Sequence, residues 1–255
     1  MPALFLGHGN PMHALARNEF SEAWRRLGSS LPAPRAILCV SAHWYLPRVA
    51  VTAMPHPRTI HDFGGFPREL YQVQYPAAGD PELAREVAAL LAPLPVELDQ
   101  SWGLDHGAWV LLRHLYPDAR VPVIELSLDE SRHAAEHYRI GERLAPLREQ
   151  GVLILGSGNV VHNLHAYAWG DSSAAAYDWA LRFDARVRDC LLQQDAATLV
   201  SYESLGRDAL LSAPTPDHYL PLLYVIATRR AGDVVDFPVA GFDGGSISML
   251  GVRLG

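Results

Sequence analysis

The chain has 255 residues, 49% of them hydrophobic, which suits one large domain with a full core or two small ones. Its formal net charge of −7 argues against a nucleic-acid partner, which needs a basic surface, and no run approaches the roughly eighteen apolar residues of a membrane span. All 21 basic residues are arginine, so lysine Schiff bases and the P-loop lysine are excluded. Cys39 and Cys190 lie far apart, with Cys39 in an apolar run, and support neither a disulfide framework nor a thiolate metal site. With no basic stretch leading into a long apolar one at the start, the expected location is the cytoplasm.

In chain order, short apolar runs at 3–6, 36–40, 49–54, 121–128, 152–155 and 247–254 predict strands. Several are apolar on both faces, as strands inside a helix-covered sheet must be. Helical patterns fall at 18–27, 80–92, 107–116, 131–149, 174–193, 195–204 and 217–230. The alternation predicts a single α/β domain spanning 1–255, with a central, mainly parallel sheet flanked by helices on both faces. Residues 55–79 hold many Pro, Gly and aromatic residues without a steady period, and a loop of that length is expected to be a lid or binding loop.

Three predicted strands each deliver a histidine just past the carboxyl end: His8 after "ALFLG", His43 after "AILCVSA" and His162 after "VLILGSGNVV". Ligands of open α/β sheets bind outside those ends, and converging imidazoles are what a metal site requires. His218 is expected in the first turn of the last helix, with Thr215 as N-cap and Pro216 as first residue. His106 is placed similarly, capped by Asp105. Taken singly, any of these is more often a hydrogen-bonded loop residue; the recurrence is what favours a site. His133 and His137 have i, i+4 spacing, but Arg132, Glu136 and Arg139 around them predict a solvated face. Ser157, in "GSGN", predicts a turn residue, because the nucleophile-elbow pattern is missing. Glu125 predicts a strand residue with a hydrogen-bonding partner rather than a ligand.

"LFLGHGNPM", "SAHW", "TIHDFGGFP", "DHGAW", "SGNVVHN" and "PTPDHYLPLLY", in that order, resemble the class III extradiol ring-cleavage dioxygenases, in the branch acting on DOPA. The likeness covers nearly the whole chain; Asn10 stands where the first motif usually has serine. The resemblance implies His8, His43 and His218 as metal ligands, with His162 as acid–base residue able to approach the ion, and His106 bordering substrate and oxygen. It implies one divalent metal per chain, Fe(II) for activity, with Zn(II) as an alternative occupant because an all-histidine set also suits catalytic zinc. It implies insertion of O2 into a small catechol, DOPA-like or related, beside its diol, giving a muconic semialdehyde-type product. His61, Asp62, Phe63, Trp44 and Tyr219 are the candidate substrate contacts, as flat or polar side chains near the motifs. The competing readings are a zinc hydrolase built on the same histidines and a non-catalytic metal-binding relative. A monomer or small homo-oligomer is expected.

Overall fold

Strands that are apolar on both sides need a helix layer on both sides, and the computed structural model, which describes residues 1–255, has this architecture. Its strands are β1 (Ala3–Gly7), β2 (Ala36–Leu46), β3 (Val49–Thr52), β4 (Val96–Asp99), β5 (Val123–Asp129), β6 (Val152–Gly158), β7 (Val235–Val239), β8 (Phe242–Asp243), β9 (Ile247–Ser248) and β10 (Gly251–Leu254). Eight form one mixed, mostly parallel sheet in the order β4-β3-β5-β2-β6-β1-β10-β7, while β8 and β9 pair separately. The middle of the sheet, β5-β2-β6-β1, is parallel throughout, with Gly7 level with Gly158 and Ser41 level with Ser157.

The helices are α1 (Glu19–Ser30), α2 (Arg68–Tyr71), α3 (Pro81–Leu91), α4 (His106–Leu115), α5 (Ala134–Leu144), α6 (Asp178–Gln193), α7 (Ala196–Val200), α8 (Arg207–Ser212) and α9 (Leu220–Ala227). The twofold strand period sorts the core into two halves. Ala3, Phe5, Leu38, Val40 and Ile154 pack towards α3, α5, α6 and α9. Leu4, Leu6, Ile37, Cys39 and Leu155 pack towards α1 and α4. The result is one α/β domain. No helix is long and apolar enough to cross a membrane.

Several boundaries differ from the sequence expectation. β4 and β7 carry no apolar run because they are the two edges of the sheet; β7 even contains Pro238, which an edge tolerates. The run at 247–254 is broken into β9 and β10, with Met249 N donating to Gly241 O instead of joining the large sheet. Helix α9 begins at Leu220, so Thr215 does not cap it and His218 lies in the turn before it. Pro221 lacks the N–H that would bond the Asp217 carbonyl, so the ladder loses a rung there, although Leu220 N still donates back to Pro216 O at 3.0 Å. His137 is fully buried and its Nδ1 bonds the Tyr224 hydroxyl at 2.9 Å, because α5 packs that side against α9; only His133 is exposed.

Candidate metal centre and pocket

The site forms where β1, β2 and β6 end. His8 leaves β1 immediately after Gly7, and the next residue, Gly9, turns the chain with φ 60°. His43 lies inside the long β2, in the stretch between Val40 and Tyr45 where pairing with β5 changes register. The irregularity turns a side chain of β2 towards the strand ends rather than into either helix layer. His218 reaches the same point from the turn before α9. A Cβ on Gly158 would stand 2.2 Å from the His218 carbonyl oxygen, so only glycine lets this turn cross the end of β6. Asn159 N fixes the crossing by donating to that oxygen at 2.8 Å.

One ring nitrogen from each of His8, His43 and His218 lies within 4.8 Å of the others. Their protonation follows from their partners. The hydroxyl of Ser157 donates to Gly107 O at 2.6 Å, so its oxygen accepts from His8 Nδ1 at 3.0 Å and His8 Nε2 keeps a lone pair. His218 Nδ1 donates to Asp217, and its Nε2 is buried with no protein partner. His43 Nε2 sits 3.0 Å from His8 Nε2, while its Nδ1 is 3.7 Å from Asp62 Oδ2. Lone pairs gathered in a buried space, two of them 3.0 Å apart and one without a donor, form a donor set for a cation. Burial, and after it the proximity of other imidazoles, pushes His8 and His43 well below the usual histidine range, which keeps them in the neutral, ligating form.

Two further imidazoles complete the cluster. The His162 ring stacks on that of His218, centroids 3.4 Å apart and 3° from parallel, and makes no hydrogen bond to protein. Burial, followed by the His218 ring, pushes it well below its ordinary range. His106 opens α4 as expected, with Asp105 capping the helix by accepting from Ala108 N at 3.1 Å. Asp62 grips it twice, accepting from His106 N at 2.9 Å and from Nδ1 at 2.8 Å. Burial by itself raises the Asp62 carboxyl, but these bonds and the His106 ring outweigh it and hold it below the usual range. His43, Asp62 and His106 form a second close group sharing His43 with the first.

The pocket above the histidines is lined by Asn10, Phe63, Phe66, Tyr167, Trp169 and Ile247 among others. Of the candidate substrate contacts, Phe63 is in the lining. The other four are outside that lining and make contacts elsewhere. Trp44 follows His43 on a strand and so faces away from it, stacking on Trp102 at 5.6 Å. Tyr219 packs on Tyr202 and donates to Leu199 O. His61 turns into its own loop, Nε2 3.0 Å from Val73 O, and Asp62 is committed to His106. Glu125 is fully buried on β5, accepting from Asp105 N and Trp102 Nε1. Sequence reasoning missed Leu164, Tyr167 and Trp169, which follow the His162 motif in "HNLHAYAW", and treated Ser157 as a mere turn residue. Only their nearness to a histidine motif signalled them.

Known proteins resemble this chain over most of its length. Residues 3–230 match the family model described as the catalytic LigB subunit of aromatic ring-opening dioxygenase. The chain is 49% identical over 260 residues to a protein of Escherichia coli (strain K12) named 4,5-DOPA dioxygenase extradiol, covering 100% of this chain and 95% of that one. A protein of the same name from Beta vulgaris is 36% identical over 251 residues, covering 96% and 92%. The crystal structure of an uncharacterized Escherichia coli K12 protein superposes with a TM-score of 0.88 at 44% identity over the full length of both chains. With motifs, fold and a histidine cluster at the sheet mouth in agreement, this chain belongs to the LigB family of class III extradiol aromatic ring-opening dioxygenases, and is an oxidoreductase of that kind.

Proposed function

We propose that His8, His43 and His218 hold one divalent metal, Fe(II) for turnover, and that the pocket opens the ring of a small catechol with O2 beside its diol, giving a muconic semialdehyde-type product. The observation that carries this reading is the convergence of Nε2 atoms whose rings are oriented by Ser157 and Asp217 behind them. A ferrous ion there would bind the deprotonated diol and relay electron density to O2; Zn(II) suits the same nitrogens but supplies Lewis acidity alone.

The protein's own part is proton handling and exclusion of water. His162 is neutral with no protein partner for its ring, so it can take a proton from a diol hydroxyl and return it later to oxygen. His106 has Nδ1 committed to Asp62, so Nε2 is the nitrogen it offers to the pocket. Asp62 thereby acts as a positioning residue. Phe63 and Phe66 wall the cavity on one side and restrict water around the reacting ring. DOPA, to which the names of the relatives point, is one catechol to assay.

The test is metal content of protein purified from its own host, paired with O2 uptake and the appearance of a yellow product on ferrous reconstitution. Ala at His8, His43 or His218 should abolish stoichiometric metal. Silence across a broad catechol panel with iron verified in place would overturn the reading; oxygen-independent, zinc-supported ester or amide hydrolysis would select the hydrolase instead.

A further inference from the structure

Leu254, the last residue of β10, is level with Ala3 of β1, so it marks the end of the sheet opposite the histidines. A cavity of about 290 Å³ opens there between α5, α6, α7 and the end of α9. Leu191, Leu199, Ile226 and Leu254 give it apolar walls, and Arg229 and Arg230 stand among them. Small-molecule sites have this make-up, mostly hydrocarbon with a few polar groups converging on it.

Both arginines keep donors to spare. Arg229, half-buried just past α9, bonds two backbone carbonyls, Leu191 O and Asp233 O, each at 3.3 Å. Its Nε–H and one hydrogen on each terminal nitrogen remain without a protein partner. Arg230 Nη2 donates to Met1 O at 3.2 Å, and its Nε is 3.9 Å from Asp233, a carboxylate that the buried Arg148 already grips through both oxygens. Asp195, beside the cavity residue Ala196, is taken up in capping α7 through Thr198. Burial, and then the charges of Arg230 and Arg148, push the Met1 amino group below its ordinary range against the opposing pull of Asp233 and Glu149. Positive charge is thus concentrated at this end of a chain whose net charge is −7. A guanidinium against an apolar wall has surrendered part of its hydration, and a carboxylate replaces it with charge-assisted hydrogen bonds.

We propose that this cavity is a second ligand site, remote from the histidine centre, for a medium-chain monocarboxylate. The hydrocarbon body lies on Leu191, Leu199, Ile226 and Leu254, and the carboxylate pairs with the Arg229 guanidinium. The tail supplies affinity by leaving water, while the arginines select the anion, because an ammonium of the same length would be held against like charge.

The test is calorimetric titration of the metal-free, full-length protein with octanoate, octanol and octylammonium, which share one hydrocarbon tail. Octanoate should bind once per chain with a Kd below about 1 mM, at least about tenfold more tightly than octanol, and octylammonium should bind more weakly still. Ala231→Glu adds a carboxylate at an exposed position of the cavity lining and leaves the Arg229 bonds in place; it should weaken octanoate about tenfold and octanol by less than about twofold. Arg229→Gln should do the same, and the ligand series on the unaltered protein decides the matter if that variant does not fold. His8→Ala should leave the octanoate Kd within about twofold of wild type; loss of binding there places the ligand at the histidines and overturns the proposal. Equal affinities for the three ligands, an unchanged octanoate Kd in Ala231→Glu, or no binding up to about 10 mM octanoate would overturn it as well.

Discussion

Replacing Ser157 by Ala probes how the floor of the pocket holds its ligands. Ser157 is fully buried at the end of β6, and its one hydroxyl serves two partners: the proton goes to Gly107 O and the oxygen takes the His8 Nδ1 hydrogen. Ala leaves the His8 Nδ1 hydrogen without an acceptor and removes the side-chain bond to Gly107 O, a carbonyl that the α4 ladder can still satisfy, and a buried polar group left unsatisfied costs about 1–3 kcal/mol. The His8 ring has one escape, which is to move its proton to Nε2 and donate to His43 Nε2, 3.0 Å away. That tautomer cannot ligate. Metal binding must then restore an Nδ1 hydrogen with no acceptor, so affinity should fall by the same about 1–3 kcal/mol, or about 5- to 150-fold. Outer hydrogen-bond partners of metal-bound histidines contribute on that scale in general. The assay is anaerobic chelator competition for Fe(II), repeated with a redox-silent divalent ion, alongside urea unfolding of the metal-free protein. A dissociation constant within about twofold of wild type, in a variant with intact fold, would refute the argument that Ser157 sets the His8 tautomer.

Other perturbations separate the remaining roles. His162→Ala should retain metal yet lower kcat by about 10²- to 10⁴-fold, the range of a general acid–base residue; an unchanged kcat removes that assignment. Gly107→Ala would place a Cβ 2.7 Å from Ser41 Oγ and 3.0 Å from His43 Cδ2, so His43 has to move. The expected cost is about 1–3 kcal/mol of stability together with weaker metal binding, and wild-type values for both would contradict it. Acidification supplies a third test, on metal-free protein. His8, His43 and His162 have folded values well below 6.5, so as pH falls under 6.5 the unfolded chain takes up protons that the folded one does not. Stability should therefore drop on acidification by up to about 1.4 kcal/mol per pH unit for each histidine. Glu125, raised well above its ordinary value by burial and then by the Asp105 charge, works in the opposite direction and offsets part of this. Urea midpoints that stay level or rise between about pH 7 and 5.5 would contradict the sign.

Much of the architecture follows from local pattern alone. The central strands are legible because a strand covered on both faces is mostly apolar, which leaves runs such as those that open β1 and β6, although β5 also buries Glu125, Ser127 and Asp129. The edge strands β4 and β7 escape notice because half of each faces water and its residues are free to be polar. The α9 boundary is missed because a Thr–Pro pair imitates a helix start, while Pro221 further on takes a rung out of the ladder.

For the site, although His43, expected past its strand, lies within β2, the sequence by itself placed His8 at the end of β1, since glycine beside a terminating apolar run is a local signal. It also determined the family, through six motifs in fixed order. Tertiary structure alone decided what each side chain faces. The pleat sends Trp44 away from His43, the Gly158 crossing brings the turn carrying His218 over β6, and the pairing of Ser157 with His8 joins residues 149 positions apart. Such relations depend on distances through space between segments with no sequence periodicity in common. The rim of Leu164, Tyr167 and Trp169 likewise acquires meaning only once the fold sets it opposite Phe63 and Phe66.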